Sequence, residues 1–98
     1  MTRLPDYKAF KNNLNSTFTV RPDDGKAIDL ELIEVKDLRQ DTGQEQQPFS
    51  LIFMQKNKDV LLPQQMHELK HEKLGAFQIL MVPITPEKDS FIYEVIFN

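Results

Sequence analysis

The chain has 98 residues, of which 12 are basic and 15 are acidic, and it contains no cysteine. This length predicts one domain over residues 1–98 that buries its own core. The missing cysteine excludes disulfides, thiolate metal sites and thiol nucleophiles. Both signs of charge are interspersed, so the chain lacks the basic face that nucleic-acid binding requires. The N-terminus has no apolar signal segment and no run is long enough to span a membrane, which predicts a cytoplasmic protein.

The first predicted element is a short helix at about residues 5–14. Pro5 is typical of the first turn of a helix. Tyr7, Phe10 and Leu14 then recur at the spacing of one apolar helix face. We therefore expect these three side chains to pack together against the rest of the protein.

From Thr17 onward the pattern is that of β-strands. Residues 17–21 alternate between apolar and polar side chains, and residues 22–25 are typical of a hairpin turn. Residues 28–32 alternate in the same way, but the alternation shifts by one position near Ile33. One extra residue there predicts a β-bulge, which is a device by which small sheets curl.

Residues 39–47 form a polar segment around Gly43 that is rich in glutamine. Such a composition is typical of an exposed loop rather than of a strand or a helix. We expect this loop to be mobile and to offer Gln44, Gln46 and Gln47 as candidate contacts for a partner protein.

Two later segments, residues 49–54 and 77–82, are apolar at nearly every position. Strands of this kind are covered on both faces, or they line a closed sheet under a packed helix. Near the C-terminus, alternate residues share one apolar face, and they are Phe91, Tyr93, Val95 and Phe97. To bury that face, the last strand must lie centrally in the sheet or close a barrel.

Together these elements predict a mainly β fold in a single small domain. Its sheet over residues 17–98 should be a strongly curled antiparallel sheet or a barrel of about six strands, accompanied by the short N-terminal helix. The pattern leaves open whether the sheet closes.

The segment His67-Glu68-Leu69-Lys70-His71 spells the H-E-x-x-H signature of zinc hydrolases. That chemistry needs both histidines on one face of a helix and a third ligand from elsewhere. Residues 64–73 include good helix formers, but their apolar side chains make a poor stripe, and the chain has only two histidines. In a strand the two histidines lie about 13 Å apart, too far to share a metal ion. We interpret the match as accidental and predict no catalytic residue, no metal and no cofactor; a zinc site would have to use His67 and His71.

Five short motifs follow one another along most of the chain from Thr17 on. They are Pro48-Phe49-Ser50-Leu51-Ile52-Phe53, Leu62-Pro63-Gln64, Leu69-x-His71-x-x-Leu74-Gly75, Met81-Val82-Pro83 and Tyr93-Glu94-x-x-Phe97-Asn98. Together they resemble an uncharacterised family of small bacterial domains, whose genes often lie beside those of phage-tail-collar-like proteins. The resemblance implies a cytoplasmic protein with no known enzymatic activity and no established ligand. It also implies a turn followed by a strand around the histidines, so we expect a strand over residues 66–71.

The sequence favours a non-catalytic protein-interaction or accessory module of unknown specific role, which the resemblance ties to a phage-tail-like assembly. Such a module would dock on another protein by a sheet edge or by the glutamine-rich loop, and we expect neither a nucleic acid nor a membrane as its partner. The alternative hypothesis is a small-ligand-binding β-barrel with an apolar cavity. The third hypothesis is a zinc-dependent hydrolase that uses the H-E-x-x-H segment. The identity of the partner or ligand and the oligomeric state are left open.

Overall fold

The structure is a computed structural model that describes residues 4–21, 25–38, 48–55, 61–87 and 90–97. Its elements in chain order are α1 (Tyr7–Lys11), β1 (Thr17–Val20), β2 (Ile28–Asp37), β3 (Phe49–Gln55), β4 (Gln65–His71), β5 (Gly75–Glu87) and β6 (Ser90–Phe97). The strands pair antiparallel in the order β1-β2-β3-β6-β5-β4 and close into a barrel. The predicted mainly β antiparallel fold with a short N-terminal helix is therefore confirmed, and of the two forms that the sequence left open the structure has the barrel, with six strands.

Helix α1 lies inside the range that the sequence predicts and is shorter than that range. The Asp6 side chain caps its start by accepting a hydrogen bond from the Ala9 N–H at 2.9 Å. The helix ends at Lys11 because turns follow it, and Asn15 in these turns takes a left-handed φ of 70°. Leu14 is therefore 41% exposed instead of sharing the apolar face of the helix. No helix in the described ranges has the length and apolar character that a bilayer crossing requires.

The predicted β-bulge at Ile33 is confirmed. Leu32 of β2 pairs with Phe53 of β3, and Glu34 pairs with the next residue, Ile52, so Ile33 has no counterpart on β3. An extra residue on one strand bends it and increases its twist. The bulge thus helps the ten-residue strand β2 to curl around the barrel.

Strand β6 lies between β3 and β5, as the sequence predicts for a central strand. Along β3 its pairing is continuous from Phe49 opposite Phe97 to Gln55 opposite Phe91. The apolar face of β6 points into the barrel, where Tyr93 and Val95 are buried and Phe91 and Phe97 pack against the core.

The barrel closes where β1 meets β4, and this seam is short. Only Thr19 with Lys70 and Val20 with Leu69 are paired across it in the described residues. By comparison, seven residue pairs join β3 to β6. The order of the strands therefore forms a closed ring, but its final junction has few backbone hydrogen bonds.

Aromatic side chains fill the barrel next to the helix. Phe10 of α1 is fully buried, and its ring lies 5.7 to 6.2 Å from four other phenylalanine rings. These neighbours are Phe18, Phe49, Phe77 and Phe97. A six-stranded barrel has room for little more than its own side chains. Helix α1 thus covers one end of the barrel, and the apolar segments at residues 49–54 and 77–82 line the interior below it.

A buried polar cluster lies toward the other end of the barrel. The Tyr93 hydroxyl donates a hydrogen bond to Gln55 Oε1 at 2.7 Å and accepts one from the Leu62 N–H at 3.0 Å. All three residues are at most 1% exposed. Burial raises the pKa of Tyr93, and the hydrogen bond from Leu62 opposes this increase only in part. The structure places this hydroxyl fully inside the barrel.

Candidate functional site

The H-E-x-x-H segment lies on a strand, and the predicted strand over residues 66–71 is confirmed. His67 and His71 both point into the barrel, whereas Glu68 points outward. Along a strand the two histidines are about 13 Å apart, so they do not form the adjacent pair of a helical zinc site. Among the described residues, no group of three or more potential ligands is placed to hold a metal ion.

His67 is buried, with only 6% of its surface exposed. Its Nε2 atom lies 2.8 Å from the carbonyl oxygen of Pro63. A carbonyl oxygen only accepts hydrogen bonds, so Nε2 must carry the hydrogen and donate it. His67 therefore ties the start of β4 to the turn that precedes it.

His71 holds the turn between β4 and β5. Its Nδ1 atom accepts hydrogen bonds from the backbone N–H groups of Lys73 at 3.0 Å and Leu74 at 3.2 Å. The turn ends at Gly75, whose φ of 78° suits a residue without a side chain. Because Nδ1 is an acceptor, the neutral ring carries its hydrogen on Nε2.

The Nε2 atom of His71 lies 2.9 Å from Ser16 Oγ. This serine hydroxyl donates its hydrogen to the carbonyl oxygen of Asn13. Nε2 must therefore donate to Ser16, which is the reverse of the arrangement in which a histidine accepts a proton from a nucleophilic serine. The Ser16–His71 pair accordingly joins two parts of the fold and is not arranged as a catalytic pair.

The surroundings of His71 favour its neutral form. Burial, the largest effect, lowers its pKa below 6.5; Glu72 opposes this decrease and Lys73 adds to it. The imidazole ring also lies 4.4 Å from the Phe18 ring. Sequence reasoning did not identify Ser16 as a partner of this histidine, because 55 residues separate the two and no local motif connects them.

The predicted contact residues Gln44, Gln46 and Gln47 lie outside the described residues. The glutamine-rich loop therefore stays a prediction from the sequence.

An apolar surface covers the outside of β3, β6 and β5 and continues onto β4. At its centre, Glu94 of β6 is paired with Ile52 of β3 and Val82 of β5. We call this surface the Glu94 face, and it consists of Ile52, Met54, Met66, Leu80, Val82, Ile84, Ile92, Glu94 and Ile96. The sequence predicted that such apolar strands are covered on both faces or line a closed sheet under a packed helix. In the structure, Met66, Leu80 and Ile96 are 56%, 47% and 53% exposed.

Glu94 brings a carboxylate into these apolar surroundings. Within the described residues, no hydrogen bond or ion pair reaches its side chain. The residues of the Glu94 face include no lysine, arginine or histidine. The face thus combines aliphatic side chains with one acidic group that has no partner among the described residues.

A cleft separates β5 from β6 beside Glu94. In the described residues, the pairing of these strands ends at Val82 and Glu94. Beyond this pair, β5 continues along β4 and β6 continues along β3. Between them lies an open cavity of ≈ 300 Å³, the β5–β6 cleft, which is lined by Ile79, Leu80, Val82, Glu94, Val95, Ile96 and Phe97. Because inward-facing and outward-facing residues both line it, the cleft is a gap between two strands.

A second open cavity of ≈ 390 Å³ lies on the outside of β1, β2 and β3. Its lining includes the polar residues Thr17, Asp29 and Glu31. Asp29 accepts a hydrogen bond from Thr19 Oγ1 at 3.2 Å, so one of its carboxylate oxygens is already engaged. Both cavities open to solvent, and neither is the enclosed apolar cavity that the ligand-binding alternative requires.

Comparison with known proteins gives a family but no function. No curated protein and no solved structure matches the chain. The model of DUF6916, which is described as a domain of unknown function, matches residues 5–97. This match agrees with the resemblance to an uncharacterised family of small domains. The chain therefore belongs to the family DUF6916.

Proposed function

We propose that the protein is a non-catalytic interaction module that binds another protein through the Glu94 face. The observation that carries this proposal is the exposure of Met66, Leu80 and Ile96 on neighbouring strands of one surface. Contiguous apolar patches on an otherwise polar surface are typical of sites where proteins associate. The charged side chains of the protein are interspersed along the chain, whereas this face contains a single charge.

Covering the exposed aliphatic side chains of this face supplies part of the binding energy that a specific contact needs. Burying a large aliphatic side chain completely contributes roughly 1.5–3 kcal/mol, so a half-exposed one contributes about half of that. Met66, Leu80 and Ile96 are each about half exposed, and together they offer roughly 2–4 kcal/mol before the cost of association. A micromolar complex needs about 8 kcal/mol, so a partner must also use polar contacts or the β5–β6 cleft.

The chain resembles a family whose genes often lie beside those of phage-tail-collar-like proteins. This resemblance extends the proposal to an accessory role in a tail-like assembly. An accessory domain of this kind needs a docking surface and no chemistry of its own. The direction of the Ser16–His71 hydrogen bond agrees with that role. The cytoplasmic location stays a prediction from the sequence.

The small-ligand alternative has less support. The phenylalanine rings around Phe10 occupy the interior next to the helix, and the Tyr93 cluster occupies the opposite end. A carrier needs an enclosed cavity that buries most of its ligand. We therefore favour a surface contact with a protein.

The proposal is tested by capturing partners from the native host with three forms of the protein. The wild type is compared with the double variant Leu80→Thr/Ile96→Thr and with the control Leu14→Thr. Threonine keeps β-propensity and removes apolar surface, and Leu14 is exposed in the turn after α1 and is not part of the Glu94 face. We expect the wild type and the control to retain the same partner and the double variant to lose it. Equal capture by the double variant, with an unchanged unfolding midpoint, would contradict the proposal.

A further inference from the structure

We infer that the β5–β6 cleft binds an extended peptide segment of a partner protein, which adds to the edge of β6 at Val95–Phe97 and places a lysine or arginine next to Glu94. This inference rests on the proposed interaction function and names the chemistry of the partner. It combines two independent observations, the interruption of strand pairing and the apolar lining of the cleft around a carboxylate that has no partner among the described residues.

The first observation is the free strand edge inside a nominally closed barrel. Val95, Ile96 and Phe97 pair with β3 on one side. On the other side, the described pairing with β5 stops at Glu94. An antiparallel strand presents backbone N–H and C=O groups to both sides, so the cleft side of these residues offers unpaired groups to another strand. Strand addition to such an edge is a common way of binding an extended peptide.

The second observation concerns the shape and polarity of the cleft. Alternate side chains of an extended segment point in opposite directions. In the cleft, one set would meet the inward-facing residues Ile79 and Val95, and the other set would meet Leu80 and Ile96 on the outer face. The side chains of the incoming segment should therefore be apolar on both sides where they contact these four residues. At the end of the cleft, where β5 and β6 come together, Glu94 is the one charged residue in the described part of the lining.

Charge complementarity then selects the residue that should lie beside Glu94. A carboxylate that becomes enclosed by aliphatic groups without a partner loses its hydration, and this loss opposes binding. A lysine or arginine of the incoming segment removes that penalty by forming a charge-assisted hydrogen bond. The chemistry of the partner is thus one basic residue followed by a short run of apolar residues in extended conformation.

A second copy of this chain is a poorer occupant. Two copies that paired their β6 edges around a two-fold axis would bring the same surface together from both sides. That surface has no lysine or arginine, so each Glu94 would remain without a cation. The net charge of −3 on each chain also opposes self-association.

The experiment uses a displayed library of random nine-residue peptides that is selected against the full-length protein. Glu94→Lys serves as the counter-selection target, and Glu68→Lys is the matched control. Glu68 is an exposed carboxylate on the outer side of β4, outside the cleft. We expect the selected peptides to carry a lysine or arginine at one fixed position with apolar residues beside it. They should bind the wild type and Glu68→Lys within twofold of each other and bind Glu94→Lys at least tenfold more weakly.

Backbone pairing is tested on the best selected peptide. N-methylation of alternate peptide amides removes their donors without changing any side chain, so one of the two alternate methylation patterns should weaken binding at least tenfold. Backbone amide resonances of residues 79–82 and 94–97 should shift on binding. If both methylated peptides bind as well as the parent, the peptide lies on the face as a helix or loop and strand addition is wrong.

The inference is also overturned if the selection yields no peptide, if the enriched peptides lack a basic residue, or if Glu94→Lys binds them equally. A chain that sediments as a dimer and loses this state in Leu80→Thr/Ile96→Thr would replace the peptide with a second copy. If the double variant still loses capture of the host partner while any of these results is obtained, the proposed interaction function stands. In that case only the inferred occupant, an extended basic and apolar peptide, is refuted. Capture that does not depend on the face refutes both.

Discussion

The hydroxyl of Tyr93 offers a quantitative test of the closed interior. Tyr93→Phe removes one oxygen atom and leaves the ring in place, so the volume of the core hardly changes. The lost hydroxyl made a hydrogen bond to Gln55 and received one from the Leu62 N–H. Losing the first costs about 1 kcal/mol, and leaving the buried Leu62 N–H without this acceptor costs about 1–3 kcal/mol. We expect a decrease of about 2–4 kcal/mol in the free energy of unfolding.

The measurement is urea unfolding followed by far-ultraviolet circular dichroism, since the chain has no tryptophan. A domain of this size has a total stability of about 5–15 kcal/mol, so the expected change should move the midpoint clearly while the slope stays constant. The control is Tyr7→Phe, because the hydroxyl of this second tyrosine forms no hydrogen bond within the described residues. If Tyr93→Phe and Tyr7→Phe differ by less than about 0.5 kcal/mol, the Tyr93 hydroxyl is not a buried, paired group and the reasoning fails.

Three further predictions concern pH, packing and metal binding. Because the pKa of His71 is lowered from 6.5, the unfolded chain takes up a proton before the folded protein does. The unfolding free energy should therefore fall as the pH drops below about 6.5. In His71→Gln, the unfolding free energy should differ less between pH 7.5 and pH 5, as measured by urea titration at each pH. An unchanged dependence on pH would assign it to other groups. Phe97→Ala should cost about 3 kcal/mol or more in the same assay, because the Phe97 ring lies 4.6 Å from that of Phe49 and borders the core; a loss below about 1 kcal/mol would mean that this end is loosely packed. Dialysed protein should carry no stoichiometric zinc by elemental analysis, and one equivalent that is lost in His67→Ala would restore the zinc hypothesis.

The sequence predicted the features that depend on alternation along a single strand. The shift of phase near Ile33 identified the bulge because one inserted residue reverses every side chain after it. The strand at residues 66–71 was harder, since its local composition also allows a helix. There the family resemblance decided correctly, and the tertiary pairing of β4 with β5 explains why a strand forms.

The features that the sequence did not reveal depend on how distant strands meet. Alternation shows which residues share a face, but it does not show where two neighbouring strands stop pairing, so the β5–β6 cleft was not predicted. In the same way, the apolar side chains of Leu80 and Val82 are typical of a strand that another element covers. The helix packs over the end of the barrel instead, so it does not cover the outer face of β5. The Ser16–His71 contact was missed because its two residues become neighbours only after the barrel has closed.

The short seam between β1 and β4 determines where the folded protein is expected to unfold locally. Within the described residues, two backbone pairs and the contacts of His71 with Ser16 and Phe18 join the N-terminal segment to β4, whereas seven pairs join β4 to β5. Partial unfolding proceeds through the region with the fewest cooperative contacts. We therefore expect local opening of the barrel between β1 and β4. Amide protons of β1 should exchange with solvent before those of β3 and β6. Protonation of His71 on Nδ1 would remove the acceptor of the Lys73 and Leu74 N–H groups while Nε2 still donates to Ser16, so mild acid should speed the exchange of these two amides rather than open the seam itself.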